Sequence, residues 1–121
     1  MKLLQLENDS QLNNILPNYS KIILQLSADW CNPCVRVTPS VQEYVSTINM
    51  DDCVYVYCDV DKCPEIYSYM KVKTIPCFIV LEKNISKNEF DISKISTSDI
   101  NEIVHFFNSM NIRNVEHNEP I

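Results

Sequence analysis

The 121-residue chain contains no glycine, a single tryptophan and two histidines, and its ten lysines and arginines are outnumbered by sixteen acids. Each shortage excludes something. Without glycine there is no phosphate-cradling loop and no dinucleotide fingerprint, because both need a residue lacking a β-carbon where backbone meets phosphate. Any position requiring positive φ must fall to Asn, Asp or a strained residue, and 13 asparagines supply the candidates. A formal charge of -6, with the bases scattered rather than gathered on one face, argues against nucleic acid as a partner. No apolar run approaches the roughly 18 residues of a membrane helix. The opening Met1-Lys2-Leu3-Leu4-Gln5-Leu6-Glu7 turns polar before a secretory h-region could form. The expectation is a cytoplasmic chain without a membrane partner, folded as one domain around one core.

Cysteine is the residue present in excess. Six of them in a chain without an expected secretory signal favour metal binding or thiol chemistry over a disulfide framework.

The hydrophobic pattern predicts β-α-β-α-β-α-β-β-α. Leu3, Leu4 and Leu6 suggest a first strand, and Leu12, Ile15 and Leu16 a brief helix closed by Pro17-Asn18. Lys21 to Ala28 is nearly continuous in apolar residues, as in a central strand buried on both faces, with Gln25 as its anomaly. Val37, Val41, Tyr44, Val45 and Ile48 form the stripe of a helix over residues 32–49, with Pro39 expected to kink it. Cys53 to Cys58 and Cys77 to Leu81 read as strands, with a short helix from Pro64 to about Met70 between them. Lys83-Asn84 is expected to turn the chain into an edge strand from Lys87 to Ile92, and Thr97 or Ser98 to cap a last helix. After Arg113 no period remains, which predicts a loose acidic tail. Helical crossovers followed by a hairpin imply an α/β fold, with helices on both faces of a mixed sheet.

The informative stretch is Ala28-Asp29-Trp30-Cys31-Asn32-Pro33-Cys34, where a buried strand ends and a helix begins. Unpaired N–H groups and the dipole of a helix N-terminus favour a thiolate, so Cys31 is placed to be the nucleophile. Cys34, one turn on, can attack a mixed disulfide formed on Cys31. Trp30 would shield one side of the pair, and Pro33 fixes φ early in the helix without wasting a donor.

This signature, with Pro39 in the same helix and Thr74-Ile75-Pro76 before the fourth strand, resembles the thioredoxin family over residues 1–112, leaving 113–121 as the tail. The resemblance implies the thioredoxin fold, with about five strands in a mixed central sheet and four flanking helices. It also implies a dithiol-disulfide oxidoreductase in which Cys31 attacks and Cys34 resolves. A cis bond at Ile75-Pro76 would face the pair, with client backbone docking beside Ile75 and Trp30. The implied partners are disulfide-containing proteins and a thioredoxin reductase as electron donor; the two sulfurs are the redox group, so no cofactor or metal is expected. Many members carry Gly-Pro between the cysteines and a buried Asp six residues before the first, where this chain has Asn32-Pro33 and Gln25. An amide cannot accept the Cys34 proton, so Gln25 either stands beneath Cys34 in place of a relay carboxylate or only satisfies its own amide in the core.

Other readings compete. Cys58 and Cys63 could complete a zinc site with the redox pair, and a redox-inactive thioredoxin-like binding or chaperone module is the alternative function. Cys53 and Cys58 read as buried hydrophobes. Cys63 opens a helix whose dipole would lower its pKa, and Cys77 could lie near the pair or fill the core. Arg36 could flank the substrate groove, whereas neither His105 nor His117 reads as a base or ligand.

Overall fold

A computed structural model of the chain describes residues 1–114. The strands are β1 (Lys2–Gln5), β2 (Lys21–Ser27), β3 (Cys53–Asp59), β4 (Cys77–Asn84) and β5 (Glu89–Ser96). The helices are α1 (Leu12–Ile15), α2 (Asn32–Ser46), α3 (Pro64–Tyr69) and α4 (Ile100–Ser109), with a 3-10 turn on each side of α1. In space the strands run β1-β3-β2-β4-β5; β1 and β2 are parallel to β3, while β4 is antiparallel to both β2 and β5. The expected element order and the mixed sheet are both found. Among the described residues no helix is long and apolar enough to cross a membrane.

β2 is apolar at all but Lys21, Gln25 and Ser27 because both of its faces are covered. Ile22, Leu24 and Leu26 meet Leu12 of α1 and Ile66 of α3 on one side, while Ile23 meets Val37, Val41 and Val45 of α2 and Ile103 and Phe107 of α4 on the other. Each such side chain contributes about 1.5–3 kcal/mol on burial, so the strand that leads into Cys31 is anchored on both faces.

Three local expectations are corrected. The β4–β5 ladder continues to Asn84 paired with Glu89, so residues 85–88 make the turn and the edge strand begins at Glu89. Asn84 Oδ1 accepts from Lys87 N at 3.2 Å, an Asx-type contact that starts the reversal one residue later than the asparagine itself. The last helix is capped by Asp99 rather than Thr97 or Ser98, its Oδ1 accepting from Asn101 N at 2.8 Å and Glu102 N at 3.4 Å. A carboxylate there both satisfies open donors and opposes the dipole. α2 stops at Ser46 instead of Asn49, with Pro39 inside it and Ile48 buried just past its end.

Absent glycine, α3 and α4 both end on a left-handed residue, Lys71 (φ 54) and Asn111 (φ 59). Val72 N donates to Tyr67 O and Lys71 N to Ser68 O; Ile112 N and Asn111 N repeat the pattern on Phe107 O and Asn108 O. These are the bonds of a Schellman motif. Asparagine tolerates that backbone region, whereas the β-carbon of Lys71 costs about 1–2 kcal/mol there. Lys71→Gly is therefore expected to stabilise the protein by about 0.5–1 kcal/mol after the greater unfolded-chain entropy of glycine is subtracted. Denaturant melts would register this as a higher midpoint at constant slope; a lower midpoint would mean that the Lys71 side chain contributes more than its backbone costs.

The expected tail lies outside the described residues from position 115 on, and His117 with it. Asn114 still belongs to the folded body, donating to Thr47 O at 3.0 Å and accepting from Asn49 N at 2.7 Å.

Candidate active site

Between β2 and α2 the chain turns through Ala28, Asp29 and Trp30, and Cys31 becomes the N-cap. Its backbone is extended (φ -95, ψ 105), and its Sγ accepts from Cys34 N at 3.3 Å. Sulfur thus stands where a serine or aspartate oxygen caps other helices. Pro33 occupies the first turn, where its missing N–H leaves nothing unsatisfied.

Cys31 and Cys34 are joined as a disulfide with their Cα atoms 5.3 Å apart. Exposure separates them: Cys31 retains 7% of its surface and Cys34 1%. An incoming sulfur can reach Cys31, at the end of the helix dipole that favours its thiolate.

The Ile75-Pro76 bond is cis, and Ile75 O lies 3.9 Å from Cys31 Sγ. Ile75 and Val60 pack against the small cluster of Ala28, Cys31 and Cys34. Trp30 is 66% exposed and Val35 54%, so the margin of the pair is apolar and open. The indole is not loose, since Nε1 donates to Asp61 Oδ2 at 2.8 Å. Asn32, Arg36 and His105 are exposed.

Gln25 has no exposed surface. Its Nε2 donates to Ser27 Oγ at 2.9 Å and Thr38 Oγ1 at 2.8 Å, while its Oε1 accepts from the Tyr55 hydroxyl. Thr38 Oγ1 in turn donates to Cys34 O at 2.6 Å. Gln25 is thus fully satisfied in the core, and it reaches the backbone of Cys34 through one intervening hydroxyl. Sequence reasoning passed over Thr38, Tyr55 and Asp61. Thr38 carried a usable signal, since a threonine four residues after Cys34 in a helix can bond back to that carbonyl. Tyr55 depends on the β2–β3 register, which pairs Gln25 with Tyr57 and places Tyr55 diagonally on the same face.

The other four cysteines are free and buried. Burial pushes the Cys53 thiol up to about 12 and also raises Cys58 and Cys77. Cys63 corrects an expectation: its pKa is raised to about 11, by burial first and then by the Asp9 and Asp59 carboxylates. The α3 dipole does not win because Asp9 already occupies that helix end, accepting from Ile66 N at 2.8 Å and Glu65 N at 3.2 Å. Cys58, Cys63 and Cys77 belong to the core under α1 and α3, whereas Cys31 and Cys34 form a separate small cluster; Val60 and Ile75 pack against both. Among the described residues no three His, Cys, Asp or Glu side chains are grouped so as to hold a metal ion.

The Thioredoxin family profile matches residues 2–108. The chain is 30% identical to Thioredoxin H5 of Oryza sativa subsp. japonica over 76 residues, 63% of this chain and 55% of that protein. It is 28% identical to the mitochondrial Thioredoxin-3 of Saccharomyces cerevisiae over 76 residues, again 63% of this chain and 58% of the other. The matched part thus spans little more than half of either relative. In three dimensions it is similar to the crystal structure of Schistosoma mansoni thioredoxin, with a TM-score of 0.75 at 23% identity over 89% of this chain and 94% of that one. At that identity the likeness shows the shared fold.

Proposed function

Since the chain belongs to the thioredoxin family, we propose that it is a protein-disulfide reductase working through Cys31 and Cys34. The observation that carries this reading is the asymmetric pair at a helix N-terminus, Cys31 keeping a small exposed area and Cys34 almost none. The Cys31 thiolate attacks one sulfur of a client disulfide. A Cys31–client bond forms, the client bond breaks, and the other client sulfur leaves as a thiolate that takes up a proton. Cys34 then loses its proton to water or to the leaving sulfur and attacks Cys31 Sγ, expelling the second client thiolate. Two electrons have passed to the client, and the Cys31–Cys34 disulfide remains to be reduced by a thioredoxin reductase.

The exposed faces of Trp30 and Val35, with Ile75 O beside Cys31 Sγ, support docking of an extended client segment whose backbone pairs there while its side chains lie on the apolar margin. Four free cysteines beside one redox pair support a reducing compartment such as the cytoplasm. On this reading the catalytic domain extends to Asn114, whose side chain is bonded to Thr47 and Asn49 of its body.

The test is direct. In glutathione buffers of graded ratio, Cys31 and Cys34 should interconvert as one two-electron couple, about 30 mV per tenfold change. The reduced protein should speed reduction of insulin by dithiothreitol. Absence of a reversible couple would return the chain to the binding-module reading.

A further inference from the structure

The hydrogen-bond network beneath the redox pair has a direction. Thr38 Oγ1 lies 2.6 Å from Cys34 O, an atom that only accepts, so the one hydroxyl proton of Thr38 is spent there. The Gln25 atom 2.8 Å from Thr38 Oγ1 must then be a donor, which fixes the amide with Nε2 toward Thr38 and Oε1 toward Tyr55. Donation runs from Tyr55 on β3, through Gln25 on β2 and Thr38 on α2, to the Cys34 carbonyl. Tyr55 and Gln25 have no exposed surface, so water cannot stand in for a lost member. A carboxylate at position 25 could only accept and would reverse the Thr38 hydroxyl; an amide, with a donor end and an acceptor end, sustains this sense.

Pro39 gives the network its importance. It follows Thr38 inside α2 and has no N–H, so the Val35 carbonyl loses its helical donor and the cysteine-bearing turn is tied less firmly to the rest of the helix. While the Cys31–Cys34 bond is closed, that turn is also held covalently. In the mixed disulfide the bond is open, yet Cys34 must still present its sulfur to Cys31.

We propose that Thr38 is a positioning residue for the resolving step, anchoring the Cys34 backbone to the sheet through Gln25 and Tyr55 when the disulfide is open. The inference rests on the reductase reading above and deepens it. In this step the Cys31–client bond breaks, the Cys31–Cys34 bond forms, the client sulfur leaves with the electron pair, and the Cys34 proton goes to water or to that sulfur. Thr38 exchanges no atom or electron; it sets where Cys34 stands.

Single-turnover stopped flow on a disulfide-bonded peptide separates attack by Cys31 from resolution by Cys34. Thr38→Val keeps the shape and removes the hydroxyl. It should slow resolution on the order of tenfold, the scale of a small misplacement of a reacting group, and leave attack unchanged. Thr38→Ser should restore the rate. Tyr55→Phe, on β3, removes the donor at the network's far end together with that hydroxyl's contact to Gln42 of α2, and should slow the same phase by a few-fold. A wild-type resolution rate in Thr38→Val and Tyr55→Phe, or attack and resolution slowed in parallel, would overturn the proposal. A Cys34→Ser protein that traps no client would instead remove the reductase reading on which it stands.

Discussion

Replacing Cys34 by Ser should convert the protein from a catalyst into a trap, while Cys31→Ser should reduce turnover by at least about 10³-fold, the scale on which losing a nucleophile acts. The difference follows from burial. Cys31 retains surface at the helix end, so in Cys34→Ser it still attacks a client disulfide and forms the mixed bond. Nothing then resolves it, because a serine hydroxyl at that site is not ionised at neutral pH and cannot expel a thiolate. The free cysteines cannot rescue either variant. Burial holds Cys53 near 12 and Cys63 near 11, and raises Cys58 and Cys77, so all four remain protonated thiols inside the core at neutral pH. Non-reducing electrophoresis with a disulfide-bonded client should show a covalent adduct, dispersed by dithiothreitol, for Cys34→Ser and none for Cys31→Ser. Full activity in Cys31→Ser would invert the assigned roles.

The largest effect on stability is expected from Gln25→Glu, which exchanges the amide N–H groups for a second oxygen and keeps the reach of the side chain. Thr38 and Ser27 then face an acceptor where they had a donor, and an ionised carboxylate sits in a site with no exposed surface and no cation among its hydrogen-bond partners. An uncompensated buried charge of this kind costs about 3–5 kcal/mol. The pH dependence carries a definite sign. Burial raises the pKa of the introduced carboxyl above its unfolded value of about 4.3, so the native state holds a proton that the unfolded chain has released. Relative stability therefore falls as pH rises from about 4 and levels off once the folded pKa is passed. Below pH 4 the group is neutral in both states, and its O–H can replace one of the lost donors. Denaturant melts from pH 4 to 8 should show the variant approaching the wild type at the acid end. A deficit independent of pH would mean that packing, not charge, sets the cost.

Much of the site was legible because covalent spacing and local propensity create it. A strand with apolar residues on successive positions, Ile22, Ile23 and Leu24, announces burial on both faces, and Cys31, Pro33 and Cys34 after its exit mark the helix start, whatever surrounds them. Several misreadings turned on a side chain meeting a distant or shifted backbone group. Asp9 reaches across 57 positions to Ile66 N and takes the helix end assigned to Cys63. Asp99 displaces Thr97 as the cap, leaving Thr97 Oγ1 to accept from Asp99 N. Gln25 was visible as an anomaly, but its partners Tyr55 and Thr38 become neighbours only once β3 lies beside β2 and α2 crosses the sheet.

The pairing of β1 constrains the order in which the chain can assemble on the ribosome. Among the described residues β1 bonds only to β3, in parallel, with Lys2 opposite Val54 and Gln5 opposite Tyr57. β1 must therefore wait for about fifty further residues to be synthesised before this ladder can form, and by then β2 is available to the same partner. Local pairing is open to β4 and β5, which are joined by a short reversal, whereas closing β1 onto β3 carries the entropy of a long loop. Docking of β1 is thus expected late in biogenesis. The nascent segment spends that interval as an unpaired strand carrying Leu3, Leu4 and Leu6, flanked by Lys2, Glu7 and Asp9, whose charges oppose its association with neighbouring nascent chains.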